Sequence, residues 1–211
     1  MMNISTPSFN NGPQLTITPV KELKTGGSAN VYNIHFQNHL GTHMDAPFHF
    51  DPKGKPMSSY SIDNFVFNHP LLVNIPKGDS EFILKKDLEA SSELIEAADL
   101  LLIRTGFQRF RTSDPNRYAT RNPGMSPEGA KYIVERFPNL RALALDMISL
   151  SPVQHREEGR ISHKILLEGR DFFIIEDMNI SSFPLSCTRV LAIPLYIEGI
   201  DSSPCTVFAE T

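Results

Sequence analysis

The apolar residues of this chain are concentrated in short runs of the length of a buried β-strand. Six such runs follow one another, at residues 71–75, 82–84, 100–103, 142–145, 172–175 and 190–197. Residues 32–36 instead alternate between apolar and polar side chains, which is typical of a half-buried strand, and residues 15–20 form a further strand-like stretch. Because no repeat or linker divides the chain, we expect one α/β domain, residues 1–211, built on a mixed sheet.

Helical patterns are fewer than strand patterns. Apolar residues recur at helical spacing in residues 87–100, and residues 161–167 predict a short helix. A third helix is expected over residues 126–137, because Ser126 is a good capping residue and Pro127 suits the first helical position. Residues 3–13, 50–63 and 108–125 contain no regular pattern, and we expect long loops there, which in compact domains are often functional.

Composition excludes several classes of protein. The formal net charge of −4 does not favour a nucleic-acid-binding protein. The two cysteines, Cys187 and Cys205, form no CxxC pair and indicate neither a disulfide framework nor a thiolate zinc site. The N-terminal residues are polar and no apolar run is long enough to span a bilayer, so we expect a cytoplasmic protein without membrane contact.

Five arginines lie within eighteen residues in the otherwise irregular segment 104–121. They are Arg104, Arg109, Arg111, Arg117 and Arg121. Proline, glycine, serine and asparagine surround them, so a solvated loop is the main interpretation. The alternative is that one or two of these side chains steer an anionic substrate.

The segment HLGTHMDAPFH, residues 39–49, carries the chemistry. His39, His43, Asp45 and His49 all occupy odd positions, as do the polar residues of the preceding predicted strand. On a strand, odd positions share one face. A helix would place Asp45 about 200° around from His43, so it cannot bring these two side chains together.

One metal ion can be shared by His43 and Asp45, which are about 6.6 Å apart on a strand. His39 and His43 would be about 13 Å apart on the same strand, so the chain must bend between them, and Gly41 tolerates the backbone angles of a bend. The alternative is a set of unrelated polar side chains on an exposed strand. We interpret the segment as a metal site, since histidine and carboxylate ligands suit zinc, manganese or iron.

Further ligands must come from distant sequence. Glu176 follows the apolar run 172–175, where a bare carboxylate would be costly unless a cation paired with it. The alternative is that the strand reaches the surface at Glu176. His163 opens an amphipathic turn and, taken alone, is more typical of a surface or hydrogen-bonded histidine than of a ligand.

The segment resembles the HxGTHxDxPxH signature of the cyclase-type metal-dependent hydrolases, which include bacterial kynurenine formamidase and isatin hydrolase. The resemblance extends over about residues 31–208. It includes LLIRTGFQRF, PGMSPEGAKYIVE, ALALDMISLSP, HKILLEGRDFFIIED and IPLYIEGIDSSP.

The resemblance implies a role for each candidate residue. His39, His43 and Asp45 would bind a first metal, Asp45 and Glu176 would bridge to a second one where present, and His163 would complete that second site. His49 would be the general acid/base. One or two zinc or manganese ions per subunit, a swivelling β/β/α fold and a homodimer or homotetramer are also implied.

The implied activity is hydrolysis of a small amide, formamide or lactam by a metal-activated water. A lactone or ester hydrolase with the same metal site, or a catalytically silent metal-binding protein, are the alternatives. A serine hydrolase is not indicated, because the chain has no GxSxG elbow. A cysteine hydrolase is not indicated either, since neither cysteine neighbours a histidine in sequence.

The sequence departs from kynurenine formamidases near its N-terminus. It contains no tryptophan, although those enzymes place one against the substrate ring, and TPSFNNGPQLTITP lacks their proline-glycine-aspartate turn. Phe9, or an aromatic residue of another chain, would have to replace the tryptophan. We therefore do not expect an efficient kynurenine formamidase.

Overall fold

Five of the six short apolar runs form strands of a mixed eight-stranded sheet, and the run 82–84 pairs in a separate two-stranded sheet, in a computed structural model that describes residues 2–184 and 186–211. The described chain has twelve strands, which are β1 (Thr16–Lys21), β2 (Val31–His35), β3 (His43–Asp45), β4 (Val66–Phe67), β5 (Pro70–Asn74), β6 (Phe82–Ile83), β7 (Leu100–Arg104), β8 (Gly124–Met125), β9 (Ala142–Leu145), β10 (Phe173–Glu176), β11 (Arg189–Pro194) and β12 (Ser202–Glu210). The main sheet has the order β4-β11-β12-β3-β10-β9-β7-β5. Pairing is antiparallel from β4 to β10 and parallel from β10 to β5.

Six α-helices accompany the strands in the described part of the chain. They are α1 (Lys85–Glu89), α2 (Ser92–Ile95), α3 (Phe110–Ser113), α4 (Pro115–Thr120), α5 (Pro127–Arg136) and α6 (Arg156–Leu167). The Ser126 hydroxyl accepts a hydrogen bond from the Gly129 amide, so the expected cap of α5 is present. The α/β fold with a mixed sheet is confirmed.

The central strands β7, β9 and β10 of the main sheet are buried on both faces, which explains why these strands are continuous apolar runs. Along β7, Leu101 and Ile103 belong to one hydrophobic cluster, together with residues of α5 and α6. Leu100 and Leu102 point to the opposite face and belong to a second cluster. Strands β9 and β10 alternate in the same way, so one sheet separates two cores.

The β1–β2 hairpin differs from the sequence expectation. These two strands pair only with each other, and all of their residues are exposed. Ile34 is 59% exposed, although the alternation in residues 32–36 predicted a half-buried strand. The prediction of a strand was right and the prediction of a buried face was wrong, because nothing in the described chain packs against the hairpin.

Two predictions about helices and loops were also wrong, and a third gave the right helix with too late a start. Residues 87–100 are not one helix: α1 and α2 are separate short helices, and residue 100 already belongs to β7. The helix predicted for 161–167 begins earlier, at Arg156. Residues 108–125 are not one loop but contain α3 and α4, because Pro115 occupies the first turn of α4 and the Asp114 carboxylate caps it.

Within the described residues, no helix combines the length and apolar character that a bilayer crossing requires.

Candidate metal centre

The pairing of β3 explains how residues distant in sequence meet. Strand β3 lies between β10 and β12, and His43 is directly opposite Glu176 in the antiparallel register. Residues opposite each other in such a pair point to the same face. His43 and Asp45 share that face, whereas Met44 between them points into the second hydrophobic cluster. His43, Asp45 and Glu176 are all buried.

Gly41 provides the expected bend between His39 and β3. Its φ is +72°, a left-handed conformation that side-chain-bearing residues rarely adopt. As a result, the imidazole rings of His39 and His43 lie 5.1 Å apart between centroids. One nitrogen of each ring and a carboxylate oxygen of Asp45 all lie within 4.8 Å of one another. The three residues predicted as ligands of a first metal are therefore brought together.

His163 reaches the same place from α6. Gly159, one turn earlier, allows the close approach of this helix, because a Cβ atom there would overlap the Ser151 side chain. The Nε2 atom of His163 lies 3.4 Å from a carboxylate oxygen of Glu176. The predicted convergence of His163 and Glu176 on one pocket agrees with this arrangement.

Backbone carbonyl groups orient two of the histidines. The Nδ1 atom of His43 lies 2.8 Å from the Gly41 carbonyl oxygen, and Nδ1 of His163 lies 2.9 Å from that of Gly159. Because a carbonyl oxygen can only accept, we assign the proton of each neutral ring to Nδ1. The Nε2 atoms, which point towards Glu176, are thereby left as electron-pair donors, as in most metal-binding histidines.

Buried polar atoms without a hydrogen-bond partner are concentrated at this site. In the described residues they are Nε2 of His43, both carboxylate oxygens of Asp45 and the hydroxyl of Ser202. Ser202 is opposite Asp45 in the β3–β12 pairing, so all four atoms belong to one locality. Unsatisfied buried polar groups are rare in folded proteins. Since nitrogen and carboxylate oxygen donors suit a divalent transition metal, the residues fit such an ion.

The pKa shifts of the clustered residues also indicate a site for a cation. Burial opposes the charged form of His39, yet the Asp45 and Asp201 carboxylates together outweigh it and raise the pKa of His39 to about 10. Burial also opposes ionisation of Glu176, but the facing imidazoles of His163 and His43, in their protonated form, lower its pKa to about 2. The carboxylates thus stay ionised only with positive charge beside them, and a divalent cation can supply the same charge.

His49 has a partner that the sequence analysis missed. Its Nδ1 atom lies 2.6 Å from a carboxylate oxygen of Asp201, and Nε2 of His39 lies 3.0 Å from the same oxygen. Asp201 could have been considered as a site residue, because it lies in IEGIDSSP, a segment that resembles the family. Distance alone also groups His49 with Asp45 and His163 as a ligand set.

Two other acids near these strands are engaged elsewhere. Asp177 binds the guanidinium of Arg111 through both oxygens, at 2.6 and 2.7 Å, and accepts a hydrogen bond from Tyr118. Asp146 accepts hydrogen bonds from the backbone amides of Thr105 and Gly106. Arg111 therefore lies in a largely buried ion pair rather than in the solvated loop expected for the arginine-rich segment.

A cavity of about 240 Å³ opens onto the cluster. It is lined by His39, His43, His49, His163 and Glu176, by Ser149 and Ser151, and by Phe9, Phe50, Ile148, Arg156 and Arg160. Phe9, which also packs against Phe107, Tyr118 and Ile148, thus lines the cavity, and its replacement of the tryptophan stays a prediction. A larger groove of about 710 Å³ elsewhere contains none of the six predicted site residues.

The chain belongs to the family described as "Putative cyclase", which matches residues 2–152. An uncharacterized protein of Haemophilus influenzae is 33% identical over 108 residues, which cover 51% of this chain and 76% of that protein. A kynurenine formamidase of Bacillus thuringiensis is 29% identical over 178 residues, which cover 84% of this chain and 78% of the relative.

Solved structures share the fold over nearly the whole chain. An isatin hydrolase bound to the product analogue thioisatinate superposes with a TM-score of 0.81 at 19% identity, covering 99% of this chain and 88% of the other. A structure described as a potential metal-dependent hydrolase with cyclase activity superposes with a TM-score of 0.76 at 22% identity, covering 99% of this chain and 93% of the other. At these identities the likeness establishes the fold alone.

Proposed function

We propose that this chain is a metal-dependent hydrolase of a small amide, formamide or lactam, cleaving a C–N bond other than a peptide bond. The observation that carries the proposal is the group of buried, unpartnered donor atoms on His43 and Asp45. The relative named kynurenine formamidase and the neighbour named isatin hydrolase support this class of substrate. The neighbour described as a potential metal-dependent hydrolase supports a metal.

His39, His43 and Asp45 would hold a first zinc or manganese ion. His163 and Glu176, with Asp45 shared, offer the donors for a second ion. A divalent cation bound there would act as a Lewis acid, polarising the scissile carbonyl and making water more acidic. The chain itself orients the donors, through the Gly41 and Gly159 carbonyls and through the strand register.

Proton transfer is assigned to His49. Asp201 accepts a hydrogen bond from Nδ1 of His49, which leaves Nε2 free to take a proton from the attacking water. The same Nε2 then returns the proton to the nitrogen of the leaving group. Asp201 would hold the ring in one orientation and stabilise its charged form, because a carboxylate beside an imidazole does both.

The apolar part of the cavity would position the substrate. Phe50 stacks against His163 with ring centroids 4.7 Å apart, and Phe9 and Ile148 line the same cavity. These side chains exclude bulk water from one side of the site and offer flat surfaces to a ring. This favours a small planar substrate.

Hydrolysis assays test the proposal. Purified protein is treated with a chelator, reloaded with zinc or manganese, and assayed against formanilide and isatin, with phenyl acetate and dihydrocoumarin as ester and lactone comparisons. We expect turnover of a C–N substrate that disappears on chelation and returns with metal. Metal-dependent turnover of the esters alone would favour the lactone or ester alternative. Metal binding without turnover of any of these substrates would favour a catalytically silent protein.

A further inference from the structure

Two arginines line the same cavity as the candidate metal centre. Arg156 and Arg160 are on α6, the helix that also carries His163. Residues 156, 160 and 163 are spaced by four and three, so their side chains follow one face of the helix. With a rise of about 1.5 Å per residue, Arg160 and Arg156 begin about 4.5 and 10.5 Å along the axis from His163. The helix thus runs from the metal centre to a cationic cavity mouth.

The guanidinium groups have few partners within the protein. In the described part of the chain, Arg156 makes no ion pair or side-chain hydrogen bond, and its guanidinium carbon lies 5.7 Å from the centre of the Phe9 ring. Within those residues, Arg160 forms its single ion pair with Glu157, three residues earlier, and the two side chains are 58% and 77% exposed. An exposed pair of this kind contributes little to stability. Both guanidinium groups can therefore bind an anion without disrupting the fold.

The charges of the cavity are separated. Asp45 and Glu176 are buried beside His43, and a divalent cation held by these residues would balance their charge. The arginines lie at the mouth and are not required for that balance. A guanidinium presents a planar set of donors that matches a carboxylate, so the mouth of the cavity is suited to bind a carboxylate. The wall of the cavity at Phe9 is suited to contact a ring.

We propose that the site selects small amides or lactams whose ring carries a carboxylate. This inference rests on the proposed function and names its substrate class. The carboxylate is bound by Arg156 and Arg160, the ring lies against Phe9 and Ile148, and the scissile carbonyl faces the metal centre. The cavity of about 240 Å³ limits such a substrate to roughly a single ring with short substituents.

A matched pair of substrates tests the proposal. Metal-loaded protein is assayed with 2-formamidobenzoate and with its methyl ester, which differ in charge but keep the same formamide. We expect kcat/KM for the acid to exceed that for the ester by about 10- to 100-fold, mainly through KM, as for other hydrogen bonds between charged groups. The 3-carboxylate isomer of the acid, with its own methyl ester, measures how far the carboxylate can be moved.

Variants assign the preference to the arginines. In the double variant Arg156→Gln/Arg160→Gln, the ratio of kcat/KM for the acid to kcat/KM for the ester should fall to near one. Arg156→Lys should keep part of the preference, because the charge remains and the planar donor set is lost. Arg170→Gln is the matched control, since Arg170 is an exposed arginine outside the cavity and its loss should leave the ratio unchanged.

Calorimetric binding of the acid and its ester to the metal-loaded protein separates this inference from the proposed function. Tighter binding of the acid that depends on the arginines, without hydrolysis, would contradict the proposed function and support the anion site. Hydrolysis of acid and ester at equal rates would support the proposed function and overturn this inference. A preference for the acid that persists in the double variant would also overturn it, because the anion would then be recognised at the metal. If the protein shows no turnover and no arginine-dependent preference in binding, the proposed function and this inference are both rejected.

Discussion

His49 and Asp201 are 152 residues apart in sequence, yet Nδ1 of the histidine lies 2.6 Å from a carboxylate oxygen of the aspartate. The same oxygen lies 3.0 Å from Nε2 of His39. One carboxylate thus connects the proposed proton-transfer residue with a proposed metal ligand. Because Asp201 immediately precedes β12, which pairs with β3, the strand pairing fixes this connection.

The Asp201→Asn variant tests whether Asp201 positions His49. With metal at saturating concentration, we expect kcat to fall about 10- to 100-fold, the usual effect of removing a partner of a site residue, with little change in KM. Metal affinity should also fall, since His39 loses its partner. If saturating metal restores the wild-type kcat, Asp201 acts only through His39, and its assigned role beside His49 is wrong.

His49 itself should be separable from the metal ligands. We expect His49→Ala to retain nearly normal metal content and to lower kcat by about 10²- to 10⁴-fold, the usual contribution of general acid–base catalysis. His43→Ala is the comparison, because it removes a buried donor and should lower metal content, with partial recovery of activity in excess metal. Elemental analysis and initial rates are measured on the same preparations.

Equal loss of metal from His49→Ala and His43→Ala would contradict this assignment. His49 would then be a ligand, as its distances to Asp45 and His163 allow. The proton-transfer residue would have to be another side chain of the cavity, and Glu176 would be the first to test.

Metal should stabilise the folded protein. An ion that binds only the native state at one hundred times its Kd adds about 2.7 kcal/mol to the free energy of unfolding. For a chain of this length, that corresponds to an increase in Tm of about 5–10 °C. Thermal unfolding of chelated and reloaded protein measures the shift. Asp45→Asn should abolish most of it, and an undiminished shift in that variant would place the ion elsewhere.

N-formylkynurenine should be a poor substrate. The chain has no tryptophan to stack on the ring, and its cavity of about 240 Å³ is below the range of roughly 300–1,000 Å³ typical of pockets for larger ligands. We expect kcat/KM below about 10⁴ M⁻¹s⁻¹, the lower limit for ordinary enzymes. Steady-state assays with the metal-loaded protein give the value directly, and a higher one would show that Phe9 replaces the tryptophan effectively.

The sequence alone predicted the parts of the site that depend on local geometry. A strand after a bend could be predicted because His43 and Asp45 both occupy odd positions and a glycine separates them from His39. Glu176 was predicted because it ends an apolar run. Asp201 was missed because its proximity to His49 depends on the position of β12 beside β3, which residue spacing does not reveal.

The errors in secondary structure have related physical causes. Asp114 and Pro115 were interpreted as residues that interrupt structure, but the same residue types also start helices, and here they start α4. The β1–β2 hairpin has the alternation of a half-buried strand, but burial depends on what packs against it. The sheet itself was predictable because runs such as residues 100–103 are apolar on both faces.

The most direct test of the central claim is the location of the metal in crystals. Crystals grown with zinc or manganese are measured above and below the absorption edge of that metal. We predict an anomalous peak within coordination distance of Nε2 of His43 and a carboxylate oxygen of Asp45, about 2.0–2.2 Å for zinc. The absence of a peak at these atoms in crystals of metal-loaded protein, or a single peak at some other position, would contradict the account.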